Sequence, residues 1–227
     1  MIRNRIAALC FGLVTASGAH AAVSPEEAAR LGTDLTPLGA EMAGNADGSI
    51  PPWNPEGTPI PEGFVAGSDN YINPYADESP LYTIDGSNWN EYADFLSPGT
   101  KAMFEKYGAD GYKMNVYQTH RGTTRPDWYY ENTKKNATSA NLVEDGQKIE
   151  GNYPGVPFPI PQSALEAIWN HMIRFGVDFN MDYDVYYVGA NGKPVLSTTA
   201  LSTSVFPMFE SPSEQVGEKV WTKLRIN

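Results

Sequence analysis

The sequence predicts an α+β fold that is mainly β, in which an antiparallel sheet packs on a few helices. With 21 Gly, 18 Pro and 41% hydrophobic residues in 227, the composition is typical of a loop-rich, β-dominated protein. Alternation of apolar and polar residues over 179–187, followed by Asn191-Gly192, predicts an antiparallel hairpin. A broad apolar stripe at helical spacing over 164–175 predicts a helix against that sheet. A plain helical bundle is therefore disfavoured.

The amino-terminal 21 residues have the form of an export signal. Arg3 and Arg5 provide a basic start, an apolar run follows, and Ala19-His20-Ala21 has the small-x-small pattern of a cleavage site. We therefore expect a mature chain beginning at Ala22 in the periplasm, with outer-membrane association as an extension of that prediction. Residues 22–227 are expected to form a single domain.

Cysteine content, hydropathy and net charge argue against disulfide-bonded, membrane-spanning and nucleic-acid-binding proteins. The single Cys10 lies within the predicted signal, so a disulfide in the mature chain is not expected, and a lipid anchor there is a minor alternative. No later apolar stretch approaches the 18 residues of a membrane span. The net charge of -11 repels polyphosphate, so nucleic acid is not expected as a partner.

The first part of the mature chain is predicted to be mostly irregular. Ser24 and Glu27 form a capping box around Pro25, which predicts a short helix to Leu31. Residues 36–80 then mix Pro with Gly, Asn and Asp and show no apolar period, so we interpret them as a strap laid over a scaffold. Residues 45–50 weakly resemble a calcium loop, but a turn is the better interpretation.

Helical signals follow the strap. A helix from Trp89 to Leu96 and a second from Pro98 to Tyr107 precede a half-buried strand over 112–117. Ser163 then caps the strongest helix, predicted over 164–175. Glu166, Asn170 and Arg174 take its polar face. Its apolar face, predicted to lie against the sheet, consists of Leu165, Ile168, Trp169, Met172, Ile173 and Phe175.

The carboxyl-terminal part alternates with a period of two. Residues 195–206 are predicted as the return strand of the hairpin, and Val220, Thr222, Leu224 and Ile226 as a last strand at which the chain stops. Asn180, Asp182 and Asp184 form the wet face of the first strand. The dry face consists of Phe179, Met181, Tyr183, Val185 and Tyr187.

Three stretches carry a family resemblance: Leu35–Trp53 (LTPLGAEMAGNADGSIPPW), Tyr112–Arg121 (YKMNVYQTHR) and Gly155–His171 (GVPFPIPQSALEAIWNH). They resemble an uncharacterised family, a domain of unknown function, of Gram-negative exported proteins labelled outer-membrane lipoprotein-sorting-like. The resemblance implies a fold of LolA/LolB type, in which a curved antiparallel sheet or half-barrel wraps helices around an acyl-binding cavity. Members of that family are about twice as long, which implies an incomplete, amino-terminal part of the fold. The resemblance assigns no catalytic or binding residue.

A search for catalytic motifs finds no Gly-x-Ser-x-Gly, phosphate loop, His-Glu-x-x-His or cysteine pair. His120 at a strand end could serve as a base, but a structural or solvated role is favoured for it and for His171. The Asp182 and Asp184 pair is better explained as solubilising than as a metal site. Prolines 154–161 form either a rigid lead-in to the next helix, which is favoured, or a polyproline ligand. No enzyme, cofactor or metal is predicted.

The functional hypothesis is a periplasmic carrier-like protein that binds an acyl chain or other hydrophobic ligand in outer-membrane lipid or lipoprotein trafficking. Its expected partners are a lipid or lipoprotein acyl chain and an outer-membrane or transporter component. The main alternative is a non-enzymatic accessory protein that docks on an envelope machine, and a glycan hydrolase is a third. The predicted ligand-binding residues are the five of the dry face, Phe179, Met181, Tyr183, Val185 and Tyr187, together with Trp169.

Overall fold

The computed structural model describes residues 22–68 and 71–217, together with the backbone of residues 223–226. The predicted export signal and two residues of the predicted last strand, Val220 and Thr222, lie outside these ranges. The described chain divides into two compact units: a first unit of residues 22–31, 37–39 and those from Asp127 onward, and a second unit of residues 32–36 and 40–126. Because two contact units can belong to one domain or two, the single domain stays a prediction.

Three of the four α-helices of the described chain begin where a serine cap predicts. Ser24, Ser97 and Ser163 each accept a hydrogen bond from the backbone N–H three residues later, which satisfies a donor that the first turn leaves free. The α-helices of the described chain are α1 (Pro25–Ala28), α2 (Pro98–Tyr107), α3 (Asp127–Ser139) and α4 (Ala164–Met172).

All strand pairs are antiparallel. The strands are β1 (Tyr82–Ile84), β2 (Met114–Val116), β3 (Asn141–Val143), β4 (Lys148–Glu150), β5 (Phe179–Val188), β6 (Pro194–Val205) and β7 (Lys223–Ile226). β1 pairs with β2 in the second unit. In the first unit β3 pairs with β4, while β5, β6 and β7 form a sheet in that order. The predicted α+β class and antiparallel sheets are confirmed, and within the described chain no sheet closes into a barrel.

Several predicted boundaries need correction. Residues 89–95 form a 3-10 helix rather than an α-helix, and the strand predicted over 112–117 is limited to β2. The helix predicted to reach Phe175 ends at Met172, because Ile173 leaves the helical conformation with φ −108° and ψ 35°. β1, β3 and β4 were not predicted, since three residues are too few to show a period of two.

Helix α3 was not predicted because its buried face mixes the apolar Tyr129 and Ala137 with three polar side chains, which hides the apolar period. Asn132, Thr133 and Asn136 are all buried. Asn136 Nδ2 donates to the carbonyls of Tyr153 and Val156 at 2.9 and 3.1 Å, and its Oδ1 accepts from Tyr153 N at 2.7 Å. Polar side chains of α3 thus satisfy the backbone of the neighbouring segment, while Tyr129 supplies the apolar packing of the helix.

The proline-rich segment 152–161 packs against α3. Pro154 and Pro157 are fully buried. Asn132 Nδ2 donates to the carbonyl of Pro154 at 3.1 Å, and Thr133 Oγ1 accepts from Val156 N at 3.0 Å. A polyproline ligand must be exposed to reach its partner, so that alternative is wrong and the segment is a lead-in to α4.

The strap, residues 36–80, contains turns and no helix or strand in its described part, as predicted. In the second unit the Arg121 guanidinium donates to three strap carbonyls, those of Glu41, Ala43 and Pro51. Residues 45–50 form the predicted turn, in which Asn45 Oδ1 accepts from Ile50 N at 2.8 Å. In its described part the strap is therefore held by side-chain contacts and isolated backbone hydrogen bonds, such as that from Asn54 N to the carbonyl of Arg121 at 2.9 Å, rather than by strand pairing.

The described helices include none that is both long and apolar enough to cross a membrane. The core of the first unit is small. It is built from six buried residues drawn from the end of α3, β4, the proline-rich segment and the segments that follow α4 and β6: Ala140, Ile149, Phe158, Ile173, Met208 and Val216. A core of this size covers only part of the apolar surface that α4 presents.

Candidate functional site

Helix α4 does not bury its whole apolar face, which corrects the sequence prediction. Leu165, Ile168 and Met172 are each about half exposed, with relative exposures of 47%, 52% and 47%, and we call them the α4 stripe. Glu166, predicted on the wet face, is only 5% exposed. Its carboxylate is drawn inward because Oε2 accepts a hydrogen bond from Gln162 N at the start of the helix.

The inward side of α4 borders a pocket, which we call the Trp169 pocket. Trp169 is half-buried and its indole Nε1–H donates to the carbonyl of Gly146 at 2.8 Å, which fixes the ring beside the β3–β4 turn. The pocket has a volume of about 170 Å³. It is lined by Gln147, Lys148, Ile149, Asn152, Trp169, Ile173, Met208, Val216 and Gly217. An apolar cavity of about 150 Å³ holds a benzene ring, so this pocket is large enough for a ring or a short acyl segment.

One polar group in this wall has no partner. Asn152 is 2% exposed, and its Nδ2 is buried without a hydrogen-bond acceptor anywhere in the described chain. The main-chain carbonyl oxygen of Asn152, by contrast, does have a partner, because it accepts a hydrogen bond from Val216 N at 2.8 Å. A buried amide donor without an acceptor costs about 1–3 kcal/mol, so its presence beside a pocket is unusual.

The charge in the pocket wall is already compensated. Lys148 Nζ lies 3.0 Å from Glu150 Oε1 and 4.0 Å from Glu144 Oε1. An ammonium group between two carboxylates offers little net attraction to a further anion. The pocket therefore favours a neutral, mainly apolar group over a free carboxylate.

The predicted dry face lies on one side of the β5–β6 sheet. Phe179, Met181 and Tyr183 stand opposite Ser204, Ser202 and Ala200, and directly opposed residues share a face. These three residues of β6 are small and buried, whereas Phe179, Met181, Val185 and Tyr187 are 43%, 46%, 44% and 58% exposed. The dry face is thus a shallow apolar surface with large side chains along β5, and much of it is uncovered.

The opposite side of the sheet is polar where the predicted Asn180, Asp182 and Asp184 lie, but it also carries Tyr186, Leu196 and Leu201, each about half exposed. Thr203 Oγ1 donates to Asn180 Oδ1 at 2.7 Å, and Thr199 Oγ1 donates to Asp184 Oδ1 at 2.6 Å. Nowhere in the described ranges do three His, Cys, Asp or Glu side chains come together as metal ligands. Asp184 is engaged in a cross-strand hydrogen bond, which fits the solubilising role.

An aromatic chain connects the two sites within the first unit. Phe179 at the start of β5 lies 6.3 Å from Phe206, which lies 6.5 Å from Phe209, measured between ring centroids. Phe209 follows Met208, a wall residue of the Trp169 pocket, and packs against the core. Trp169 therefore lies at one end of this apolar path and the dry face at the other, so the six predicted ligand-binding residues do not form one cluster.

The second unit contains a separate, more polar pocket of about 340 Å³. His120 Nε2 lies 2.7 Å from Glu78 Oε1, and the imidazole stacks on Tyr75 at 3.7 Å between ring centroids. Asn73 and Tyr117 complete the polar part of its wall. The contact with Glu78 and the stacking on Tyr75 fix the orientation of the His120 ring. His171 is exposed at the end of α4, where its carbonyl accepts from Arg174 Nη1 at 3.2 Å.

The fold and the Trp169 pocket define an α+β protein with short antiparallel sheets and a small apolar site. The chain belongs to the family described as "Protein of unknown function (DUF1329)", whose model matches residues 83–224. This confirms the uncharacterised family that the sequence indicated.

One relative is the Pseudomonas aeruginosa protein named "Uncharacterized protein PA3922", which is 53% identical to this chain over 155 residues. The match covers 68% of this chain and 34% of that protein, so the chain matches about a third of the length of its relative. No solved structure matches the chain.

Of the residues that line the Trp169 pocket, the sequence predicted Trp169 as ligand-binding and Ile173 only as part of an apolar helix face, and it did not predict Ile149, Asn152 and Met208. These three come from segments without a readable period, and they meet only because the chain folds back on itself. An unpaired amide has no sequence signature, because Asn is common in turns where it is satisfied locally.

Proposed function

We propose that this chain is a carrier-like protein that binds an acyl chain or other hydrophobic ligand and serves outer-membrane lipid or lipoprotein trafficking from the periplasm. The observation that carries the proposal is the Trp169 pocket, whose walls are mostly apolar and whose volume of about 170 Å³ suits a short apolar segment. The LolA/LolB-like fold belongs to the same proposal and rests on the resemblance of three sequence stretches.

Two further features support a ligand longer than the pocket. The aromatic chain from Phe209 to Phe179 leads from the pocket wall towards the dry face of β5. That face leaves large apolar side chains about half exposed, as surfaces that bind an apolar partner commonly do. An acyl chain anchored in the pocket could continue along this path, which assigns Met181, Tyr183, Val185 and Tyr187 to its outer part.

The α4 stripe favours the alternative, a non-enzymatic accessory protein. Leu165, Ile168 and Met172 follow the spacing i, i+3, i+7, so they form one exposed apolar line along the helix. Helices with such a line commonly dock in a groove of a protein partner. The partner in this alternative is an outer-membrane or transporter component.

Native mass spectrometry of the full chain, exported to the periplasm of a Gram-negative host, tests the proposal. A bound lipid is expected with the unaltered chain. The variant Val216→Phe adds a ring at the pocket wall and should reduce lipid retention, whereas Ile168→Ser on the α4 stripe should leave it unchanged. Circular dichroism and thermal unfolding establish that both variants fold.

Retention that is equal in the unaltered chain and in the folded Val216→Phe variant would contradict the pocket as the binding site. If instead no lipid is retained, and a protein partner is retained that Ile168→Ser releases, the accessory function replaces the carrier. The two functions thus predict opposite responses to two single substitutions.

A further inference from the structure

Resting on the proposed function, we infer that the Trp169 pocket recognises a neutral acyl ester or amide, with Asn152 Nδ2 donating a hydrogen bond to the acyl carbonyl while the chain contacts Trp169 and Ile173. Asn152 is then the residue that selects the ligand class. Its Nδ2 is the one buried side-chain donor in the described chain that lacks an acceptor.

The acceptor for this donor has to enter a pocket lined mainly by apolar residues. Asn152 lines the pocket together with Ile149, Trp169 and Met208, so the acceptor must arrive on an otherwise apolar molecule. A pure hydrocarbon would fill the space but leave the N–H unpaired. An acyl carbonyl supplies one acceptor oxygen at the end of an apolar chain, which matches both properties of the wall.

The charges of the described wall decide between an ester and a free fatty acid. Lys148 is the cation of the wall, and its Nζ lies 3.0 Å from Glu150 and 4.0 Å from Glu144. A carboxylate would therefore meet one compensated cation and two nearby acids, in a chain whose net charge is -11. A neutral ester or amide carbonyl avoids that repulsion and keeps the hydrogen bond.

The volume of the Trp169 pocket limits the size of the ligand segment that can enter it. About 170 Å³ accommodates the carbonyl and a few methylene groups, so the remainder of a long chain must leave the pocket. Short esters are therefore sufficient probes, and they keep the test independent of the dry face of β5.

The test compares two probes with seven-atom chains, methyl pentanoate and n-heptane, by titration of the full chain followed through the NMR signals of the Trp169 indole N–H and the Asn152 side-chain amide. In the unaltered chain both probes should shift the indole signal, and only the ester should move the Asn152 amide protons downfield. The pentanoate anion at pH 7.5 should bind more weakly than its methyl ester.

The matched variant is Asn152→Leu, which keeps the side-chain size and removes the donor. The ratio of the two dissociation constants, ester to heptane, should rise about tenfold, the equivalent of one hydrogen bond of about 1.4 kcal/mol. Without ligand the variant should unfold at the same or a higher temperature, because an unpaired buried donor has been removed. If the variant does not fold, the amide shift in the unaltered chain decides alone.

The outcomes separate this inference from the proposed function. If both probes bind but the ratio is unchanged and the Asn152 amide does not respond, the pocket binds apolar ligands without selecting a carbonyl, and the inference is overturned while the carrier function survives. Binding of neither probe overturns both. Tighter binding of pentanoate than of its ester overturns the preference for a neutral ligand.

Discussion

The molecule contains two proline-rich stretches without helix or strand, and they behave differently. The strap, residues 36–80, is mostly exposed along its described length, whereas the segment 152–161 is largely buried in the first unit. Pro154 and Pro157 have less than 2% of their surface exposed, while Pro52 and Pro55 are exposed. Proline content therefore does not decide whether an irregular segment lies inside or outside.

The two stretches differ in how many of their backbone groups are hydrogen-bonded by side chains from other segments. Along 152–161, Asn132, Thr133 and Asn136 of α3 and Asn170 of α4 bond backbone groups that would otherwise be buried without partners. The described strap is held by the Arg121 guanidinium near its beginning, by the contacts of His120 with Glu78 and Tyr75 near its end, and by turns that close locally. A buried irregular segment needs a complete set of partners, and an exposed one can use water.

The largest expected effect is that of Asn136→Ala, which should lower the free energy of unfolding by about 3 kcal/mol, because it removes three hydrogen bonds to partly buried backbone groups of Tyr153 and Val156. Denaturant titration measures the loss. Lys134→Ala, on the exposed side of the same helix, should change stability by less than about 0.5 kcal/mol. Similar losses in the two variants would show that the hydrogen bonds of Asn136 to segment 152–161 do not stabilise the fold.

Gly155→Ala should cost about 2 kcal/mol, since its added Cβ would lie 2.8 Å from Thr133 N and force the proline-rich segment away from α3. Gly48→Ala in the strap has nothing within 4 Å, and its φ of +77° should cost about 1 kcal/mol through the left-handed backbone alone. Thermal unfolding of both variants checks the order. A larger loss at Gly48 would mean that close packing of 152–161 is not what distinguishes the segments.

Arg121→Lys should release the beginning of the strap. Lysine cannot span three carbonyls with one planar fork, so we expect a loss of about 1–2 kcal/mol and faster proteolytic cleavage within residues 41–51. Arg30→Lys is the matched control, because Arg30 forms an exposed ion pair with Glu27 at 2.7 Å. Unchanged cleavage in Arg121→Lys would show that the turns hold the strap without the cation.

The smallest effect concerns the strap turn at Asp47. Hydrogen bonds from the Ser49 side chain and backbone N–H hold the pKa of Asp47 below its ordinary value. The carboxylate therefore supports the turn above the ordinary aspartate value of about pH 4, and this support is lost as the pH falls through the lower folded pKa. The Ser49 amide signal should shift in that acid range, and Asp47→Asn should abolish the shift. A pH response that persists in Asp47→Asn would assign it to another group.

Much of the fold could be predicted where a local rule was sufficient. The serine caps at Ser24, Ser97 and Ser163 mark helix starts that the structure confirms. Asn191-Gly192 marks the β5–β6 turn, and the polar and apolar faces of β5 follow from its period of two. These features depend on hydrogen bonds and side-chain directions within a few residues, so the sequence contains them directly.

The sequence also determined the family and the α+β class, through long motifs and the change from helical to alternating patterns. Tertiary structure alone decided which apolar surface is buried. Ile173, which leaves the helical conformation directly after α4, enters the core, whereas Ile168 on α4 does not, although both belong to the same predicted face. A hydrophobic pattern indicates which face of a helix can be buried. How much of that face is buried depends on the residues that pack against it, and these are few in the small core.

Tertiary structure likewise decided the roles of the buried polar residues. In α3, Asn136 is buried because distant carbonyls need its amide, and in the Trp169 pocket Asn152 is buried without such a partner. The two asparagines are indistinguishable in the sequence, because hydrogen-bond satisfaction depends on which backbone groups the folded chain brings within about 3 Å. The sequence determined where the serine-capped helices start and which face of β5 is apolar, and only the folded chain determined which asparagine satisfies a distant backbone and which keeps an unpaired amide donor.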